Sequence, residues 1–280
     1  MRRFLTYSLL FLLLPATLWG QSLRKAVPEY DFARFEKNRI GFQGDSSAFE
    51  RLFKKMDSVL FLGKCNLRIM HIGGSHVQAG TLTRQLRNDL LSLRTALDGG
   101  RGLVFPFSAA HTNNPSYEGS WKVTKNVQRE PDHRLGLTGI SLSASDDKAS
   151  VMVTTVARDP KPQDPTFRFN EVKVLGYSSA GERVPVVVLA KGDTLQGCRA
   201  DSCWSFGLPA FADSVKIATK GQGEFTLTGI FLDNPFPGIS VTGIGVNGAS
   251  LGSYSKCPDL MNDLRLVNPD LVILAVGIND

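Results

Sequence analysis

The sequence predicts an α/β protein, a parallel-sheet core whose chain is interrupted by a β-sandwich. Three observations carry that reading. Residues 67–97 form a strand–turn–helix unit. Seven short β-like runs separated by Asp, Gly, Pro and Ser clusters then fill residues 108–237. From 238 to 280 the strand–turn–helix texture returns. The division that follows is 1–20 as a signal peptide, 21–107 as the first part of the core, 108–237 as the insert and 238–280 as the second part of the core.

Composition sets the outer bounds. The chain has 280 residues, 42% hydrophobic and 21% charged, enough for one large domain or two ordinary ones. Arg2-Arg3, an apolar run from Phe4 to Leu14, Pro15 and a small-residue stretch ending at Gly20 have the layout of a secretory signal. The run is too short to span a bilayer, so the expectation is export to the periplasm or outside the cell, without stable membrane insertion. Without Arg2 and Arg3, 30 basic residues stand against 26 acidic ones, with no Lys/Arg run of the kind nucleic-acid binders carry. No Cys/His cluster has zinc-finger-like spacing, and neither a metal nor an organic cofactor is called for. Four cysteines in an exported chain are able to pair. Cys198 and Cys203 flank a short polar turn and suit a local disulfide, while Cys65 and Cys257 lie too far apart along a strand to pair.

Residues 21–45 are polar and mixed, with room for a short helix at 28–38. A clearer helix starts at Ser47, where Ser47 and Glu50 have capping-box spacing and Phe49, Leu52, Phe53, Met56, Val59 and Leu60 form an apolar stripe. Residues 67–72 suit a buried strand. Gly73-Gly74 breaks it, and Leu82, Leu86, Leu90 and Leu93 mark a helix running to about Leu97. Ser75 therefore sits in a tight strand-to-helix turn, its hydroxyl above the sheet and the helix-start N–H groups around it. Gly-Gly-Ser is also an ordinary capped turn, so Ser75 gains weight only from what lies further along.

The β-like runs are 121–125, 137–143, 150–155, 167–175, 183–190, 214–219 and 224–232. Trp121, Tyr177 and Trp204 within them are candidates for stacking on sugar rings, or simply core. Beyond 237, residues 239–246 read as a strand, Asn247-Gly248 as a turn and 259–267 as a helix. Residues 271–276 read as a continuous apolar strand of the buried parallel kind, running into Gly277-Ile278-Asn279-Asp280.

Three apolar strands thus end in Gly-containing polar turns, which in an open parallel sheet gather at one edge. There Ser75 could attack an acyl carbon while the N–H groups of Ser75 and Gly248 and the Asn279 amide stabilise the oxyanion. One such donor is typically worth ~3 kcal/mol in rate.

Gly73-Gly74-Ser75, Gly245-Val246-Asn247-Gly248-Ala249 and Gly277-Ile278-Asn279-Asp280 resemble, in order, the first three blocks of the SGNH (GDSL-like) hydrolases. Residues 71–80 and 100–106 and the inserted β-region are similar to the peptidoglycan O-acetylesterase branch. The resemblance implies a flavodoxin-like parallel sheet of about five strands and a carbohydrate-binding-module-like insert. It also implies removal of acetyl or similar groups from a cell-envelope glycan such as peptidoglycan. It implies Ser75 as nucleophile and Ser75, Gly248 and Asn279 as the oxyanion hole. Two departures stand out. Gly74 replaces the Asp of the first block, and the Asp-x-x-His block that supplies the general base and its orienting acid is absent. The four histidines are His71, His76, His111 and His133, none of them at that position in the pattern. The expectation is a core truncated at its C-terminal end and, as it stands, inactive. An acyltransferase on the same site and a catalytically silent glycan-binding protein are the alternatives.

Overall fold

A computed structural model describes residues 30–32, 34–37, 39–95, 97–110, 117–156, 165–189 and 192–280. The signal segment and His111 lie outside them. The chain divides into two compact units, residues 1–46 and 47–280. In the first, Tyr30 stacks on Phe32 with centroids 5.2 Å apart. Of the helix expected at 28–38, the described residues include one 3₁₀ turn, Phe35–Lys37, and residues 28, 29, 33 and 38 lie outside them.

The second unit holds a small parallel sheet in the order Gly238–Gly245, Asn66–Gly73, Leu271–Ala275. Asn66–Gly73 is the central strand and the most deeply buried along its last five residues. Val59, Leu67, Ile69, Leu97, Ile239 and Val241 form a core cluster on one side of this sheet. Helix Ser47–Leu62 contributes Leu52, Met56 and Leu60 to it, and helix Thr81–Leu91 contributes Leu86 and Leu90. Met70, Ile72, Ile244 and Val246 belong instead to a larger core shared with two antiparallel sheets. The alternation of side chains along each strand makes this division.

One antiparallel sheet has seven strands. Along it run Cys198–Ala200, Cys203–Ala212, Phe169–Gly181, Gly223–Asp233, Ile140–Ala144 and Lys122–Lys125, and Gly102–Val104 also pairs with Gly223–Asp233. The other has five: Tyr117–Glu118, Ser150–Thr154, Ser214–Lys220, Val184–Val188 and Thr194–Gln196. Inward residues of both, among them Leu142, Val174, Trp204 and Phe225 from the first and Val151, Val187 and Ile217 from the second, share one apolar cluster.

This corrects the expected fold class. Among the described residues the chain is mostly β, its sheets are predominantly antiparallel, and the flavodoxin-like parallel core is not what forms: three strands run parallel. The apolar run 271–276 has the composition of a buried central strand but not its place in the sheet. Leu271–Ala275 is not buried on both faces but is an edge strand, alternating half-buried and exposed, with Leu274 62% exposed. Apolar composition alone does not distinguish a central strand from an edge strand. The helix read from Ser75 to Leu97 is also two helices, Ser75–Gln78 and Thr81–Leu91, parted at Gly80, whose φ of 77° is left-handed. All four cysteines are free. The expected Cys198–Cys203 bridge does not form: Cys198 faces Ser205 across its hairpin and is exposed, while Cys203 is buried.

Candidate active site

The register of the parallel sheet brings three strand ends level, with Gly73 beside both Gly245 and Ala275. Close packing demands glycine at two of these points. A Cβ on Gly73 would come within 2.6 Å of the Ala275 carbonyl oxygen and 2.5 Å of a Val77 methyl, and one on Gly245 would overlap backbone atoms of Gln78 and Gly74. The strand-to-helix turn therefore lies directly against both neighbours.

Ser75 opens helix Ser75–Gln78 and is exposed above the sheet, held by Gln78 N–H donating to Gly74 C=O (3.0 Å) and Ala79 N–H donating to Ser75 C=O (2.8 Å). The second turn is tied to the first at two points. Val246 N–H donates to Gly73 C=O (3.2 Å), and Asn247 N–H donates to Gln78 Oε1 (2.6 Å). Gly248 is exposed with φ 80°, a left-handed conformation suited to glycine. Asn279, from the third turn, donates through Nδ2 to Ala249 C=O at 3.1 Å, and Asp280 Oδ1 accepts from Leu251 N–H at 2.8 Å. Below, the buried Tyr254 hydroxyl donates to Gly73 C=O at 2.8 Å; burial raises its pKa well above the usual value, so it stays protonated.

The three turns expected to gather thus do so, and each carries one exposed residue of the expected set: Ser75, Gly248 and Asn279. Gln78, Tyr254 and Asp280, which sequence reading did not assign, are the residues that tie these turns together. Only tertiary contact reveals them, since Gln78 and Asn247 are 169 positions apart.

The histidines divide differently. His71, on the central strand, is buried and shares a hydrogen bond with Thr83 (Nδ1 to Oγ1, 2.9 Å). Burial, and then the neighbouring His76, lower its pKa and favour the neutral ring. His76 follows Ser75 and is partly exposed. His133 lies in the antiparallel region, between Thr124 (3.3 Å) and Glu224 (3.2 Å). Among the described residues, none of the three hydrogen-bonds the Ser75 hydroxyl. Of the aromatic candidates, Trp204 is core, edge-on to Phe225 at 5.3 Å, while Trp121 and Tyr177 are partly exposed. No helix among the described residues is long and apolar enough to cross a membrane.

No protein-family model matches the chain, and no curated protein matches it. Among solved structures it is similar to a peptidoglycan O-acetylesterase, with 24% identity and a TM-score of 0.60 over 84% of this chain and 63% of that one. This chain therefore spans less than two thirds of that protein's length. The likeness is one of fold: the chain folds like part of a peptidoglycan O-acetylesterase.

Proposed function

We propose that this protein is an exported serine ester hydrolase of the SGNH type that removes acetyl or similar acyl groups from an envelope glycan. The observation that carries the reading is the convergence of the Ser75, Gly248 and Asn279 turns above three parallel strand ends, tied by the Gln78 and Asn279 hydrogen bonds. In this reading the Ser75 hydroxyl attacks the ester carbonyl carbon. The Ser75 and Gly248 N–H groups and the second Nδ2 hydrogen of Asn279 hold the oxyanion as the alcohol leaves with a proton. Water then attacks the acyl-enzyme and releases acetate. In both steps a general base takes the proton, from Ser75 first and from water second. In the resembled family the His of the Asp-x-x-His block does this, and among the described residues His71, His76 and His133 make no hydrogen bond to Ser75. Residues 108–237 would hold the glycan chain, with the partly exposed Trp121 and Tyr177 as stacking faces. Similarity to a peptidoglycan O-acetylesterase fold supports this glycan class.

The test is acetate release from an O-acetylated glycan by the protein as its own reading frame encodes it. Ser75→Ala should abolish release without changing the thermal midpoint, and Asn279→Ala should lower it roughly a hundredfold. Release that survives Ser75→Ala sinks the serine mechanism. Binding of the glycan without turnover would favour the silent glycan-binding alternative, which the glycine at position 74 also favours.

A further inference from the structure

A cavity of about 300 Å³ lies beside Ala79 and Gly80, just past the turn that carries Ser75. Arg84, Arg87 and Arg101 all line it, and among the described residues no Asp or Glu does. Such a grouping is costly, because the Arg87 and Arg101 guanidinium groups lose hydration and the exposed Arg84 adds a third like charge beside them.

The local bonding does not compensate for the charge. Arg87 is 7% exposed; its Nε and Nη2 both donate to the Val241 carbonyl (3.0 and 2.6 Å), and its guanidinium lies 5.5 Å from the centre of the Phe167 ring. A carbonyl dipole and a ring face do not neutralise a full charge. Burial, followed by the like charges of Arg101 and Arg84, pushes the Arg87 pKa down. Arg101 has a buried Nη1 with no hydrogen-bond partner. Asp98, three positions earlier, uses Oδ1 on the Gly100 N–H at 2.9 Å and does not line the cavity.

Helix Thr81–Leu91 adds to the imbalance. Its N-cap, Gly80, offers no side-chain acceptor, its first turn holds no acid, and Arg84 sits near that end. The N-terminus of an eleven-residue helix carries partial positive charge and favours an anion over a cation. A buried cation left unpaired calls for a missing counter-charge.

We propose that this cavity binds an oxyanion, carboxylate or phosphate, held by Arg84, Arg87 and Arg101 at the start of helix Thr81–Leu91. The volume fits one anionic group or a single charged sugar rather than an oligosaccharide. The guanidinium forks of Arg84 and Arg101 match both kinds of oxyanion, while Arg87, whose Nε and Nη2 are engaged by the Val241 carbonyl, adds charge and its remaining Nη1 donors. The inference rests on charge and burial and holds whatever reaction Ser75 performs.

The test is thermal melting and isothermal titration of the full chain with sodium phosphate and with glucuronate. Sodium chloride at equal ionic strength and uncharged glucose serve as controls. Saturable stabilisation by phosphate, by glucuronate or by both supports the site, and the responding arm identifies the source of the anion. Arg84 is exposed, so Arg84→Gln should fold normally and weaken the responding anion about tenfold or more, the scale of one charge-assisted hydrogen bond. Arg84→Gln/Arg101→Gln should abolish the response. If neither anion shifts the melt beyond chloride and glucose, the proposal fails. An equal response in wild type and Arg84→Gln overturns it as well.

Discussion

At the scale of single residues, the glycines of the site are not equivalent. Gly245 has no room for a side chain, because its Cβ would overlap the backbone of Gln78 and Gly74. Gly245→Ala should therefore cost ~1–3 kcal/mol and push the first two turns apart. Gly74 is different. An added Cβ there would rest in ordinary contact, 3.4 Å from Asn279 Nδ2 and 3.5 Å from the Ala249 carbonyl oxygen. Gly74→Asp would place a carboxylate within reach of the Asn279 amide. The expected stability change is within about 1 kcal/mol of zero, helped by the lower entropy of the unfolded chain. Chemical denaturation of the two variants checks both expectations. A severe loss in Gly74→Asp would mean that the turn has no space for the acid that the resembled family carries there.

At the scale of elements, helix Leu260–Val267 carries a buried acid with a measurable consequence. Asp263 accepts from the Leu137 N–H at 2.8 Å, yet burial raises its pKa from 3.8 to about 6, with nearby Asp259 adding to the rise. The folded state then holds this proton more tightly than the unfolded chain. The stability that it contributes is fully present below about pH 4 and is lost as pH rises through about 6. The span of about two pKa units corresponds to ~3 kcal/mol at most. Asp263→Asn should remove this slope while its side-chain oxygen still accepts from Leu137. Urea melts of both proteins between pH 4 and 7 check the point. Wild type should lose stability relative to the variant as pH rises, and a constant difference would refute the assignment.

At the scale of the whole molecule, the parallel sheet of the described residues leaves one edge of Leu271–Ala275 unpaired. Leu271–Ala275 pairs on one edge only, with Asn66–Gly73, and Val272 and Leu274 are 36% and 62% exposed. Ile278, just beyond, is 82% exposed. A bare strand edge beside exposed aliphatic side chains is a template for association. The 280-residue chain should therefore self-associate with rising concentration. Leu274→Lys should reduce that association and leave stability within about 0.5 kcal/mol of wild type. Sedimentation velocity over a concentration series checks this, and a wild-type chain that stays monomeric throughout would contradict it.

Local pattern was enough to determine much of this protein. The strand before Ser75, the glycine break, the turn at Asn247-Gly248 and the polar end at Asn279 were all legible, because periodicity and turn chemistry act over a few residues. Most of the antiparallel strands were legible for the same reason. Tertiary structure alone decided which strands pair, which one lies at an edge, and how large a share of the chain the parallel sheet takes. The apolar run at 271–276 reads the same whether one face or both are covered, since burial depends on neighbours distant in sequence. The strands at Cys203–Ala212 and Gly102–Val104 are not legible in local pattern, because partners from Phe169–Gly181 and Gly223–Asp233 hold them. The three arginines of the cavity are likewise spread over eighteen positions, two on a helix and one in a loop. Only folding places their charges around one space.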